Sequence, residues 1–345
     1  MSFEKFLVSS SALGLMCLSA APIAAAQGEE AENRLSTVTV SAQRLEENLQ
    51  DVPVSVTNLA DEKLDILKSG GTDVRFLSAR VPSVIAESSF GRAFPRFYIR
   101  GIGNTDFDLN ASQPVSLVYD NVPYENPILK GFPVFDLEDI EVLRGPQGTL
   151  FGRNTPGGII KFDSKKPTEE FDAYAKVAYG SYNTVEAEGA VGGQLFDALA
   201  VRVSGLYQYR DDYVDNDYLG VEDAYEGFQE YAGRAQFLFT PFDNDFQALL
   251  NVHARSNNSS ARLFRANIID QGSKGLGAGF DRESVFFDGL NDLGQTAWGT
   301  TLTMSKSLND SVDLTYVFGH ESAQVDSVGD IDGGFGAAFL PDSGP

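Results

Sequence analysis

The densest cluster of turn-forming and charged residues is EVLRGPQGTLFGRNTPGGIIKF, Glu141 to Phe162. Five glycines, two prolines and two arginines lie between apolar runs at either end. Glycine-rich loops cradle phosphates when their spacing lets backbone amides converge on an anion. Here Gly148 and Gly152 are too close together for a nucleotide loop of the G-x-x-x-x-G-K-[ST] kind. Arg153-Asn154 also stands where the Lys and Ser/Thr are needed. Gly101-Ile102-Gly103 begins a dinucleotide fingerprint, but Asp106 occupies the third glycine position. Neither phosphate chemistry fits, which leaves a glycine-rich turn between two strands.

Two other groups have the residue types of a metal site. Asp215, Asp217, Gly220, Asp223 and Glu226 fall at offsets 1, 3, 6, 9 and 12 of a calcium loop. Offset 5 is Leu219, whose side chain cannot ligate, so the stretch reads as a solvated acidic loop. His253 and His320 are lone strand residues with no third ligand near them in sequence. No nucleophile, acid and base converge anywhere. The reading is therefore of a protein that is not an enzyme, with no catalytic residue, no bound metal and no cofactor.

The elements that carry these residues divide the chain. Residues 1–26, MSFEKFLVSSSALGLMCLSAAPIAAA, have a basic start at Lys5, an apolar middle and an A-x-A end, the pattern of an export signal cleaved after Ala26. The only cysteine, Cys17, lies within it, so the expected mature chain has no disulfide. Lys plus Arg number 26 against 49 Asp plus Glu, a net charge of -23 that repels nucleic acid. After residue 26 no run approaches ~18 consecutive apolar residues, which excludes a helical membrane span but not strands.

Residues 27–50 are polar and read as an extended tether holding a short β-rich island, Ser36 to Val40. Only ten residues separate Ala26 from Thr37, too few for a folded signalling domain. Residues 51–167 read as a small α+β domain. Strands are expected at Val52–Thr57, Arg96–Arg100, Val115–Tyr119, Ile140–Arg144 and Gly158–Phe162. Helices are expected at Asp61–Ser69 and Asp73–Ala79.

From residue 168 to 345 the pattern changes to alternation. Leu199, Val201, Val203, Gly205, Tyr207 and Tyr209 make one apolar or aromatic face, and Ala200, Arg202, Ser204, Leu206 and Gln208 the other. Seven such segments occur, near 171–181, 184–195, 198–211, 228–240, 245–256, 296–308 and 311–322. Each has about the length of a tilted membrane-crossing strand. LFDAL, TPFDNDF and SLNDS are short turns at every second joint, and the alternate joints include long ones at 211–227 and 257–295. A soluble sandwich or propeller would also alternate, but short turns on one side and long loops on the other suit an antiparallel transmembrane β-barrel.

The block DLEDIEVLRGPQGTLFGRNTPGGIIKFDSKKPT, Asp136 to Thr168, closely resembles the plug-domain signature of TonB-dependent outer-membrane receptors. STVTVSAQR resembles the TonB box. FLSARVPSV, FYIRGIG and VSLVYDNVPY resemble successive plug segments, and GSYNTVEAEGAVGG resembles the start of the barrel. The likeness runs from about residue 36 to 322.

The resemblance implies a plug inside a 22-stranded barrel in the bacterial outer membrane, of which about seven strands are present in this sequence. It implies that Thr37, Val38, Thr39 and Val40 pair with the inner-membrane protein TonB by strand addition. It implies that Arg100 and Arg144 lock the plug to barrel glutamates lying beyond residue 345. Gly101, Gly145, Gly148, Gly152, Gly157 and Gly158 become tight plug turns. The implied ligand is a scarce nutrient such as a ferric siderophore, with no substrate residue assignable. A passive porin is the alternative, and it would need neither the box nor the plug. Seven is an odd strand number, and an open sheet leaves unpaired backbone groups in lipid. The sequence alone is thus expected to be the front of a longer receptor rather than a working transporter.

Overall fold

The computed structural model describes residues 39–336, apart from 42–46, 61–62, 65, 67–72, 79, 107, 109, 243–244, 270–271, 278 and 310. The export signal, Thr37, Val38 and most of the helix expected at Asp61–Ser69 lie outside the described residues.

The N-terminal domain begins with β1 (Thr39–Val40) and β2 (Glu47–Asn48), which pair antiparallel. Then come β3 (Ser55–Ala60), β4 (Val84–Glu87), β5 (Arg96–Ile99), β6 (Val115–Tyr119), β7 (Val122–Tyr124), β8 (Leu137–Arg144) and β9 (Gly158–Ser164). Five of these form a mixed sheet in the order β3-β8-β9-β6-β7, in which only β6 and β9 run parallel. The parallel pair is possible because the long stretch between Tyr119 and Gly158 provides the crossover. The strand expected at Val52–Thr57 begins three residues later, at Ser55. Pro53 has no amide to give a ladder, so pairing starts beyond it. The helix expected at Asp73–Ala79 is a single 3-10 turn, Val74–Leu77, whose first amides are capped by the Asp73 side chain through Arg75 N. The sheet and this turn enclose a core that includes Leu59, Leu77, Phe97, Ile99, Leu117, Ile140, Val142, Ile160 and Phe162.

The second part is a wall of long strands. They are β10 (Asp172–Gly180), β11 (Thr184–Phe196) and β12 (Leu199–Arg210), then two short strands in the next connection, β13 (Val214–Asn216) and β14 (Val221–Tyr225). There follow β15 (Phe228–Phe242), β16 (Phe246–Ser259), the short β17 (Ser284–Val285), β18 (Asp292–Asn309) and β19 (Val312–Val328). The seven long strands pair antiparallel with their neighbours in sequence, β10-β11-β12-β15-β16-β18-β19. Among the described residues β10 and β19 each pair on one side only, so the wall is an open part of a barrel. No helix among the described residues is long and apolar enough to cross a membrane. The wall has the reverse amphipathicity of a soluble sheet. Val203 and Trp298 on its outer face are 52% and 51% exposed, while Arg202 and Asn251 on its inner face are 2% and 1% exposed. Strict alternation forces this choice, because a one-residue slip would turn every polar side chain to the apolar side.

The long connections are not loose. β13 pairs with β14 and, in parallel, with β17. Val214, Leu263, Val285 and Phe287 bury themselves beneath this small sheet, with Tyr213 and Tyr225 against them. Two loops therefore fold into one cap at the long-loop end.

Candidate functional site

The inner face of the wall is a ladder of polar residues in register. Arg202 lies opposite Gln236, Ser204 opposite Arg234 and Gln208 opposite Glu230 between β12 and β15. Arg234 and Gln236 in turn lie opposite His253 and Asn251 on β16. Each rung meets the N-terminal domain.

Asp136, at the entry to β8, is the centre of these contacts. Arg202 grips its carboxylate with Nε to Oδ2 at 2.9 Å and Nη2 to Oδ1 at 2.6 Å. Arg234 reaches the same carboxylate at 3.3 Å and the Asp136 carbonyl at 2.6 Å, and also bonds the Tyr119 hydroxyl. Glu188 on β11 accepts the Asp136 amide at 2.9 Å and the Tyr174 hydroxyl at 2.6 Å. Burial pushes the Asp136 carboxyl up, but Arg202 and Arg234 outweigh it and hold the group below the usual carboxylate range. Two planar forks on one carboxylate combine charge with fixed direction.

Further contacts fasten the domain on either side. Asp120 accepts from Asn251 at 2.7 Å and from the Ser164 amide at 2.9 Å, and Gln236 donates to the Ser164 hydroxyl at 2.8 Å. Tyr124 donates to Glu321 at 2.8 Å, and His253 lies 3.0 Å from the same carboxylate. This last contact crosses Gly299, the rung between them. A Cβ there would sit 2.2 Å from Glu321 Oε2, so a larger residue would make the Glu321 carboxylate shift.

At the long-loop end Arg92 crosses from the domain to Glu230 at 2.7 Å and to Gln208 at 3.2 Å, with its guanidinium 4.0 Å over the Phe228 ring. Beside it a cavity of about 480 Å³ opens between domain and wall, lined by Arg75, Arg92, Arg210, Tyr213, Phe228 and Arg262 among others. Its size suits a small-molecule ligand.

At the other end the N-terminal segment is seated on the domain. Val40 is buried against Val52, Val118, Leu143, Phe151 and Ile159, while Thr39 is exposed. Ser41 N donates to Glu141 Oε1 at 2.6 Å. The polar tether expected over residues 27–50 is thus partly folded.

Arg144 donates to Thr57 at 2.8 Å and to the Pro82 carbonyl at 3.0 Å. Burial and the neighbouring Arg100 charge both depress its pKa. Arg100 is exposed, with φ 53. Among the described residues no wall carboxylate pairs with either. Gly101, Gly145, Gly152 and Gly158 have positive φ, Gly148 opens the helical turn Gly148–Phe151, and Gly157 packs against Pro114. At Gly158, φ is 137 and a Cβ would lie 2.2 Å from the Leu143 carbonyl, so the position admits glycine alone. Asp215, Asp217 and Asp223 lie in the cap loop, where no cluster of three ligating side chains suited to a metal ion occurs among the described residues.

Of the residues that fasten domain to wall, Asp136 opens the glycine-rich block, Arg92 has no signal, and Arg202, Arg234 and Glu230 carry no sequence motif. Their one visible signal is charge on the alternate face of an otherwise apolar strand, as with Arg202 between Val201 and Val203.

Residues 48–159 match the family model of the TonB-dependent Receptor Plug Domain. The ferrioxamine B receptor of Salmonella typhimurium is 30% identical over 47% of this chain and 23% of its own length. The pesticin receptor of Yersinia pestis is 28% identical over 68% of this chain and 34% of its own. The chain thus spans about a quarter to a third of the length of these curated relatives. Among solved structures, the ferric yersiniabactin uptake receptor of Yersinia pestis superposes with a TM-score of 0.68 at 21% identity, covering 79% of this chain and 41% of that one. The siderophore receptor of Acinetobacter baumannii gives 0.65 at 17% identity over 85% and 39%.

Proposed function

We propose that this chain, which belongs to the TonB-dependent outer-membrane receptor family, serves energised uptake of a scarce nutrient across the bacterial outer membrane, with a ferric siderophore as the ligand class. The family is one of transport proteins, not enzymes. The observation that carries the reading is the position of Asp136 between Arg202 and Arg234. A folded domain is fastened by charge to the polar face of a wall whose other face is apolar. Such a domain stands where a porin would have water. A ligand can pass only if the domain shifts, and shifting breaks buried charge pairs, which calls for an outside energy source.

The partner on this reading is TonB, pairing with Thr37–Val40 as an added strand. The cavity beside Arg92 is the proposed entrance for ligand, since it opens at the long-loop end. The names of the relatives, receptors for ferrioxamine B and pesticin, support a siderophore class without choosing a member. Arg100 and Arg144 are proposed to meet carboxylates on wall strands other than β10–β19. Uptake of labelled ferric siderophores in a strain lacking the gene, with and without TonB, tests the reading. Uptake that is equal in both strains would point to passive diffusion.

A further inference from the structure

The floor beneath Ser41 holds more acceptors than donors. In register, Asp139 on β8 faces Asp163 on β9, and Glu141 faces Lys161. Among the described residues three carboxylates therefore share one lysine. Lys161 is already engaged with Asp163 and with the Ser41 hydroxyl. Glu141 Oε1 accepts from Ser41 N at 2.6 Å and from Ser41 Oγ at 3.3 Å. Asp139 Oδ2 accepts from Asn58 on β3 at 3.0 Å, and Lys63 reaches the Asn58 carbonyl at 3.4 Å. Among the described residues, Glu141 Oε2, Asp139 Oδ1 and Asn58 Oδ1 are buried with no hydrogen-bond partner, as is Glu47 Oε2 on β2. Glu141 itself is 0% exposed.

The groups acting on Asp139 are thus Glu141 on its own strand, Asp163 and Lys161 on β9, and Asn58 on β3, with Ser41 of the segment above bonded to Glu141 and Lys161. Adjacent carboxylates out of water do not all ionise together, and one proton between them relieves the repulsion. Burial raises the Asp139 carboxyl most, followed by the Asp163 and Glu141 charges, to about 7. Burial raises Glu141 as well.

We propose that Asp139 keeps its proton while residues 39–41 lie on the domain, and that losing this proton releases the segment. Ser41 covers the cluster at Glu141 and Lys161. Once the proton leaves, a third negative charge lies under that cover beside a single lysine. Hydrating it requires the segment to lift. The sign follows from linkage. The seated state holds its proton at higher pH than an exposed aspartate does. Seating is therefore strongest near the exposed value of 3.8, weakens as pH rises from there to about 7, and changes no further above it. The bearing of this switch on partner pairing rests on the reading of Thr37–Val40 given above.

The test places a spin label at Thr39→Cys, an exposed position, in the full chain with Cys17→Ser. The ratio of mobile to immobile label is read from about pH 4.5 to about pH 8, with the rise expected below about 7 and a plateau above it. A single linked proton gives a rise of at most about tenfold per pH unit. The expected result is a clear rise in the parent and an immobile label throughout in Asp139→Asn, which mimics the protonated acid. Asp163→Asn relieves the same repulsion from the facing strand and is expected to behave alike, so the idea does not depend on one variant folding. A flat profile in the parent overturns the proposal, as does a rise retained in both variants. The label is read without any partner present, so failure of TonB pairing and failure of the proton switch are separate results.

Discussion

Arg202 on β12 and Asp136 at the entry to β8, 66 residues apart in the chain, meet through two parallel hydrogen bonds of 2.9 and 2.6 Å with both side chains almost wholly out of water. Arg234 closes on the same carboxylate from the neighbouring strand. A domain and a wall that fold by different rules are joined at one acidic side chain.

Replacing that acid leaves the buried Arg234 without its paired carboxylate and Arg202 with Asp172 alone, at 2.8 Å. Asp136→Ala is expected to cost about 3–5 kcal/mol, the range for breaking a buried ion pair by removing one partner. The denaturant midpoint of the N-terminal domain, followed by limited proteolysis, measures the loss. An unchanged midpoint would show that the pair adds nothing to seating.

Gly158 holds a conformation that L side chains rarely adopt, and its missing Cβ would meet the Leu143 carbonyl. Gly158→Ala is expected to destabilise the domain by well over about 1 kcal/mol, against the gain of about that size that the same change gives at permissive sites. Thermal unfolding of the variant decides between the two signs.

Lys130 is fully buried, its Nζ donating to Gln113 at 3.1 Å and to the Val115 carbonyl at 3.0 Å with no carboxylate in contact. Burial lowers its pKa from 10.5 to about 8, and Glu125 offsets only part of this. The folded chain therefore sheds this proton at lower pH than the unfolded chain, and stability rises with pH between about 8 and 10.5. The rise is expected to be up to about 3 kcal/mol. It should vanish in Lys130→Met, which stability curves at several pH values will check.

Val38→Pro tests the proposed coupling. Proline removes the donor that strand addition needs. Ligand binding to whole cells is expected to stay normal while uptake of labelled ligand stops. Normal uptake in this variant would remove Thr37–Val40 from the coupling step.

The seven wall strands were legible because alternation is a local property. Each side chain's face follows from its neighbours two residues away, and the polar face of β12 can be read from Ala200 to Gln208 before any partner is known. The glycine-rich block from Asp136 to Thr168 was equally plain. Element edges were less so. The start of β3 at Ser55 depends on a proline whose effect is felt only when β8 offers a ladder, and β4 and β7 are too short for a periodic signal.

What the chain's order of residues determined by itself was therefore which face of each strand is polar, where the turns fall and which family signature the first half carries. Tertiary structure alone decided that Asp136 takes Arg202 and Arg234, that Val40, in a segment expected to hang free, is buried against the domain, and that Asp139 faces Asp163. The physical reason is range. Backbone alternation and turn chemistry act over a few residues. The worth of a charge depends on which distant side chains share its low-dielectric surroundings, and only the folded chain chooses those.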